Sequence, residues 1–422
     1  MSLEENPIAK RIFKTNCPFV AFWFPWYWRR TETAQLRKLA GQWIWLKAHG
    51  IRAKIVIMLK TILWPLIALS GIALLLISKS KNTKKGSGRP VFNQLLDLLY
   101  FTYWRGFSPL EYYRMRFYKL KLSTVIDDFI SSKEVSILNM VITDGRDPEL
   151  VNDKLRFDEQ CSKFGLTVVP ILEVYRNGIR EIKGTYVSVP RTSLYFKPVK
   201  GLQGRGIERW NYDEKSETWR SENDLLNEKA LIAHFQETSK NDTYILQKQV
   251  TNHQSLAAFS QGAVITFRIM TVIGADKKLK TIAAYASIPY GTPVVNHGIY
   301  GGIVVRIDHN TGVFDAAYSI VPPADNITHH AKTGAKIEGY QLNEWPELEA
   351  LAKTGHSYFP ESYTIGWDLV LTADGPQILE GNTQWGVRPG LFVGKTSFVT
   401  QYMNFLSNET ANALNISKRK NP

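Results

Sequence analysis

From Ile55 to Ile77 the chain is apolar apart from Lys60, Thr61, Pro65, Ser70 and Gly71. Such a run is long enough to cross hydrocarbon as a helix rising about 1.5 Å per residue. Two residues complicate a simple crossing. Lys60 puts a charge inside the run, near enough to its end to snorkel, and Pro65 removes a helix hydrogen bond and invites a kink or a re-entrant turn. Ser78 to Pro90 is then polar, basic and glycine-bearing, which predicts a linker and a boundary near residue 90. Val91 to Leu122 is rich in Leu, Tyr, Phe and Arg, and the largely apolar run Val135 to Ile142 predicts a buried strand.

Beyond that run, strands and helices alternate. Strands are predicted over Thr167 to Leu172, Ser193 to Lys197, Tyr244 to Gln249, Ala263 to Ile273, Lys280 to Ser287, Gly302 to Asp308, Thr364 to Leu371 and Gln377 to Glu380. Helices are predicted over Val151 to Phe164, Leu225 to Glu237 and Trp345 to Tyr358, the last with Pro346 in its first turn. Long strands joined by tight turns indicate α+β lobes rather than a doubly wound sheet.

A chain of 422 residues has room for two or three domains, and two cysteines, Cys17 and Cys161, are too few for a disulfide framework or a zinc cluster. The net charge of +14 is concentrated on both sides of the apolar run, in Arg29, Arg30, Arg37, Lys38, Lys47, Arg52 and Lys54 before it and Lys79, Lys81, Lys84, Lys85 and Arg89 after it. An anionic partner follows. The aromatic run Phe22 to Trp28, with Trp43 and Trp45, suits headgroup level and favours an anionic membrane over nucleic acid. Cations at both ends put both ends on the cytoplasmic side, as in a re-entrant or monotopic attachment, with a single span as the alternative.

Two segments carry chemistry. In the first, Lys197 closes an apolar strand and is followed by Gly201, Gln203, Gly204 and Gly206, so that backbone amides can approach a polyphosphate beside an ammonium; it is not a Walker A loop, and the glycines alone fit a plain turn equally well. In the second, Asp368 sits between Trp367 and Leu369, and Glu380 and Asn382 follow Ile378 and Leu379 across an Asp374-Gly375-Pro376 turn. Glu380 and Asn382 are two apart and share a face of an extended strand. These hard oxygens suit magnesium shared with nucleotide phosphates, unless the hairpin is simply a solvated edge. Because Pro376 has no amide hydrogen, a three-residue loop from Asp374 to Pro376 is expected, which pairs Val370 with Glu380 and Asp368 with Asn382 and gathers all three ligands on one face.

A lysine and glycine loop, then Asp, then Glu-x-Asn, is the order of the ATP-grasp superfamily, and from about Val151 to Leu391 the chain resembles its sugar-transfer-associated group. The resemblance implies two α+β lobes clasping ATP, here spanning residues 151 to 245 and 246 to 422, after a membrane-associating region over 1 to 90 and a short region over 91 to 150. It implies ATP and one or two magnesium ions as cofactors. Lys154 and Lys197 become phosphate-side lysines; Gln247, Lys248 and Val250 become an adenine-binding linker in which Gln247 reads the exocyclic amine; Arg268 faces the transferred phosphoryl group; Asp368, Glu380 and Asn382 hold metal; and Asn296, His297 and Arg388 stand near substrate, with His329 and His330 a further choice. The activity implied is a carboxylate-amine ligase working through an acyl phosphate, on a lipid-linked or polymeric glycan, at the cytoplasmic face of a bacterial inner membrane. A phosphotransferase acting on a hydroxyl and a non-catalytic scaffold are the alternatives.

Overall fold

The computed structural model describes residues 24–28, 32–119, 132–143, 146–147, 149–200, 206–260, 263–274, 276–289, 302–319 and 324–385. They fall into two compact units, one of residues up to Gly145 with Gln384–Pro422, the other Arg146–Thr383.

The first unit is helical, with α1 (Glu32–Lys47), α2 (Gly50–Ser87), α3 (Val91–Leu99) running on into a π-helical turn (Tyr100–Trp104), α4 (Pro109–Arg114) and α5 (Ser132–Ile142). The re-entrant turn expected at Pro65 is not formed: α2 passes through it unbroken, and the Tyr103 hydroxyl donates to the Pro65 carbonyl at 2.7 Å. Nor does the helix stop where a linker is expected. Lysines sustain a helix, so it persists to Ser87 and ends only at Gly88, which takes φ 74° and donates its N–H to the Lys84 carbonyl. At 38 residues α2 is long and apolar enough, by length and composition, to cross a membrane. The predicted strand over Val135 to Ile142 is helix α5. Val135, Leu138, Val141 and Ile142 are buried while Met140 is exposed, a three-to-four period that a short apolar run conceals in sequence.

The second unit opens with α6 (Glu149–Asn152) and α7 (Lys154–Lys163), a break in the single helix expected there. Asp153 makes the break by capping α7, its Oδ1 accepting from the amides of Leu155 and Arg156 at 3.0 and 3.2 Å. Seven antiparallel strands then form a first sheet in the order β2 (Ile179–Ile182), β1 (Ile171–Arg176), β7 (Thr243–Lys248), β3 (Leu194–Pro198), β4 (Glu208–Asp213), β5 (Thr218–Arg220), β6 (Leu225–Leu226), with α8 (Glu228–Thr238) between β6 and β7 in sequence. Alternation along the strands sends Leu194, Phe196 and Leu246 into a cluster with Leu231 and Phe235 of α8, and turns Tyr195, Lys197, Ile245 and Gln247 to the other face. The predicted strand over Thr167 to Leu172 is split at Pro170, which cannot donate to a ladder. Before the proline, Thr167 and Val169 exchange backbone bonds with Ile378 instead.

The second sheet runs β12 (Ala324–Ile327), β11 (Ala317–Ser319), β10 (Ile303–Ile307), β9 (Leu279–Ile288), β8 (Thr266–Ile273), β13 (Thr364–Thr372), β14 (Gly375–Asn382). Phe267, Ile269, Ala284, Ala286, Val305, Trp367 and Leu369 face a core that includes Trp345, Leu348 and Ala352 of α9 (Trp345–Ser357). The intervening residues form the opposite face, where the polar groups gather.

Candidate active site

The β13–β14 hairpin does not have the expected register. Thr372 pairs with Gly375 across a two-residue turn of Ala373 and Asp374, and Pro376 lies opposite Leu371. The turn closes one residue earlier than expected, with Gly375 at φ 97°, so the missing amide of Pro376 is not needed for it. Pairing continues regularly to Leu369 with Ile378 and then shifts, leaving Leu379 as a bulge; from there Asp368 pairs with Glu380 and Gly366 with Asn382. Without that bulge Glu380 would lie opposite Trp367 and turn to the core. With it, Asp368, Glu380 and Asn382 share one face, although Asp368 does not oppose Asn382.

The pairing extends across five strands: Glu380 lies beside Asp368, Asp368 beside Arg268, Arg268 beside Tyr285, and Tyr285 beside Arg306. Arg268 grips Asp368 in a fork, Nε to Oδ1 at 2.5 Å and Nη2 to Oδ2 at 2.6 Å, with the two side chains only 17% and 18% exposed. Burial pushes the Asp368 carboxyl up to about 6 against the pull of Arg268, and neighbouring Glu380 adds to the rise. Burial works against the Arg268 guanidinium too, but Asp368 more than offsets it and the group is held above its usual value. Tyr285 and Arg306 were not singled out from sequence. Arg306 interrupts an apolar strand just as Arg268 does, which was the available signal; it is paired with Asp315.

Two lysines approach the same carboxylates. Lys154, first residue of α7, donates from Nζ to the Val199 carbonyl at 3.0 Å and stands 3.8 Å from Glu380. Asn152 fixes this end of the helix by holding Thr383, the residue after β14, through its side-chain amide at 2.9 and 3.0 Å. Lys197 projects from β3 and makes no hydrogen bond or ion pair among the described residues. Burial lowers its ammonium from 10.5 to about 8, Glu380 supporting the charge and Lys154 opposing it. Burial also opposes the Glu380 carboxylate, yet Lys154, Lys197 and Arg268 together hold it below its usual value, and Asn382 donates to it at 3.3 Å.

On β7, Gln247 donates Nε2 to the Val169 carbonyl at 2.8 Å, and its Oε1 is an acceptor. Lys248 is exposed and Val250 half-buried. Gly206 has φ 74°, a conformation suited to glycine; Gly201, Gln203, Gly204, Asn296, His297 and Arg388 lie outside the described residues. His329 is exposed, whereas His330 is buried against the Pro289 carbonyl at 2.9 Å, a structural contact.

Among the described residues no group of three His, Cys, Asp or Glu side chains could hold a metal. A mixed oxygen set is nevertheless present. Glu380 and the Asn382 amide offer hard donors, and each Asp368 oxygen keeps a lone pair beyond the one given to Arg268, so the residues fit magnesium shared with phosphate oxygens. Residues 138–405 match the sugar-transfer-associated ATP-grasp family. The chain belongs to that family. No curated protein sequence matches significantly. Solved structures similar to this member include the L-amino acid ligase from Bacillus licheniformis (13% identity, TM-score 0.33, covering 63% of this chain and 48% of that one). Another is the D-alanine–D-alanine ligase from Bacillus anthracis complexed with ATP (12%, 0.34, 64% and 68%). A third is an N5-carboxyaminoimidazole ribonucleotide synthetase with ADP (14%, 0.34, 67% and 59%). The chain thus spans about half the length of the first of these.

Proposed function

We propose that this ATP-grasp protein is an ATP- and magnesium-dependent carboxylate-amine ligase. The observation that carries the reading is that Lys154, 3.8 Å from Glu380, and a partly desolvated Lys197, without a hydrogen-bond or ion-pair partner among the described residues, act on the carboxylate that Asn382 also bonds, beside the Arg268–Asp368 fork. The lysines neutralise the ATP phosphates. A carboxylate oxygen attacks the γ-phosphorus, the bond to the ADP oxygen breaks, and an acyl phosphate forms. An amine then adds to the acyl carbon, inorganic phosphate leaves with the C–O bond, and the amine proton passes to solvent. Arg268, a planar donor, faces the charge that develops on the phosphoryl oxygens. Glu380, Asn382 and Asp368 would hold magnesium, which when bound neutralises and orients the phosphates. No side chain need form a covalent bond, so rate rests on positioning and charge.

The substrate pair is proposed to include a glycan precursor, lipid-linked or polymeric, presented at a membrane to which α2 attaches the protein. The test is ADP release by the purified protein over a panel of sugar acids and amines. Phosphate release that requires both partners, with a product lighter than their sum by one water, is the expected result. A phosphorylated sugar formed with ADP overturns it in favour of a phosphotransferase.

The Lys197 ammonium also sets a pH dependence. Its lowered value means that the free protein carries the charge below about pH 8 and loses it above. Affinity for Mg-ATP, measured by calorimetry, should therefore weaken as pH rises through 8, and in Lys197→Arg, charged throughout, it should stay level to higher pH. A wild-type profile flat across pH 8 would show that this lysine does not face phosphate.

A further inference from the structure

Helix α3 has its apolar side chains turned outward. Val91, Phe92 and Leu96 are 38%, 66% and 50% exposed, with Leu95 and Leu99 half-buried, while the buried side carries Gln94 and Asp97. A surface helix in water does the reverse. Both Gln94 and Asp97 are paired. Arg89 holds Asp97 at 2.9 and 2.7 Å, Tyr112 donates to the same carboxylate at 2.8 Å, and Gln94 donates to the Ser80 and Arg89 carbonyls at 3.1 and 2.9 Å while accepting from Tyr113 at 3.0 Å. Apolar groups outward with polar groups satisfied inward is what hydrocarbon demands, because nothing there can hydrogen-bond.

The neighbouring α2 has the same outward character. Ile55, Leu59, Ile62, Leu66 and Leu69, repeating at helical spacing, are exposed, whereas Trp64, Ala68, Ile72 and Leu75 pack inward. Gln94 near Ser80 and Tyr103 near Pro65 set α3 and its π turn antiparallel to the second half of α2.

Charge marks both ends of the α2 stretch and is absent, or compensated, along α3. Thr61 to Ser78 carries none, a stretch of about 27 Å at 1.5 Å per residue, between Lys60 and Lys79 with Lys81, Lys84 and Lys85 beyond. Pro90 to Trp104 carries only Asp97, which Arg89 neutralises, and the next cation, Arg105, is buried and donates to the Tyr100 hydroxyl at 2.9 Å, so the α3 stretch presents no uncompensated charge of its own. A protein partner could cover an apolar stripe, but it gives no reason for cations to close both ends of the α2 stretch; anionic headgroups do.

We propose that α3 and the π turn enter the hydrocarbon beside α2, so that an anionic bilayer holds a pair of helices rather than α2 alone. This rests on the membrane attachment proposed above. It also means that trimming the chain at residue 89 would not free a soluble remainder, because α3 would keep its apolar face and lose the α2 side chains packed on Leu98 and Phe101.

The experiment uses the full chain with Cys17→Ser, leaving the buried Cys161 in place, and a nitrobenzoxadiazole label on Leu96→Cys, on Leu66→Cys or on Glu222→Cys. Vesicles of phosphatidylglycerol and phosphatidylethanolamine are added. The labels at 96 and 66 should brighten several-fold, shift to the blue and be quenched by brominated acyl chains, and the label at 222 should not respond. A label at 66 that responds while that at 96 stays in water overturns the helix pair and leaves attachment by α2 standing. If neither responds and the protein does not float with vesicles, the attachment itself fails. Phe92→Asn with Leu96→Asn is a second check: flotation should fall several-fold with Mg-ATP affinity retained, and unchanged flotation counts against the proposal.

Discussion

Glu380→Gln should lower turnover by on the order of 10² to 10³-fold while changing Mg-ATP affinity by less than about tenfold. The replacement keeps the shape of the side chain and removes the charge on which Lys154, Lys197 and Arg268 all act. Ground-state nucleotide retains its lysines, so binding is largely spared, whereas charge neutralisation during transfer is not. Calorimetry and initial rates on the same preparation separate the two quantities. Turnover within about threefold of wild type would remove Glu380 from any metal site, and an equal loss in both quantities would make it a nucleotide-binding residue only.

Arg268→Met should abolish measurable turnover and cost about 2 to 3 kcal/mol of stability, because it leaves the Asp368 carboxylate desolvated with its fork partner gone. Both groups retain some solvent contact, which keeps the cost below that of a fully buried pair. The double variant Arg268→Met with Asp368→Leu, which removes both charges, should recover most of the stability in urea unfolding and none of the activity. Recovery of activity in the double variant would mean that Arg268 serves only to neutralise Asp368. Failure to recover stability would mean that the fork, rather than the uncompensated charge, is what the fold requires.

The ionic side chains of the site were legible in sequence because each interrupts an apolar strand: Lys197 after Phe196, Arg268 between Phe267 and Ile269, Asp368 between Trp367 and Leu369. What was not legible is which strands lie side by side. Tyr285 and Arg306 join the row only because β9 pairs in register with β8 and β10 with β9, and nothing in their own segments fixes those registers. The hairpin shows the same boundary from the other side. Its common face was foreseen, but by a longer loop that does not form; a short turn and a bulge produce it instead. Local composition also misled over Val135 to Ile142, where eight residues cannot separate a helical from an extended period.

The Leu379 bulge has a meaning for other chains of this kind. In a regular hairpin with a two-residue turn, residues that face each other are an odd number of positions apart, whereas Asp368 and Glu380 are an even number apart. The even interval is therefore itself a signature: a relative that keeps the short turn and the even interval must carry a bulge somewhere between its Asp and its Glu, and one with an odd interval must not. A gap of a single residue placed there when two such sequences are aligned is then no neutral length change. It decides whether the glutamate belongs to the chemistry or to the core.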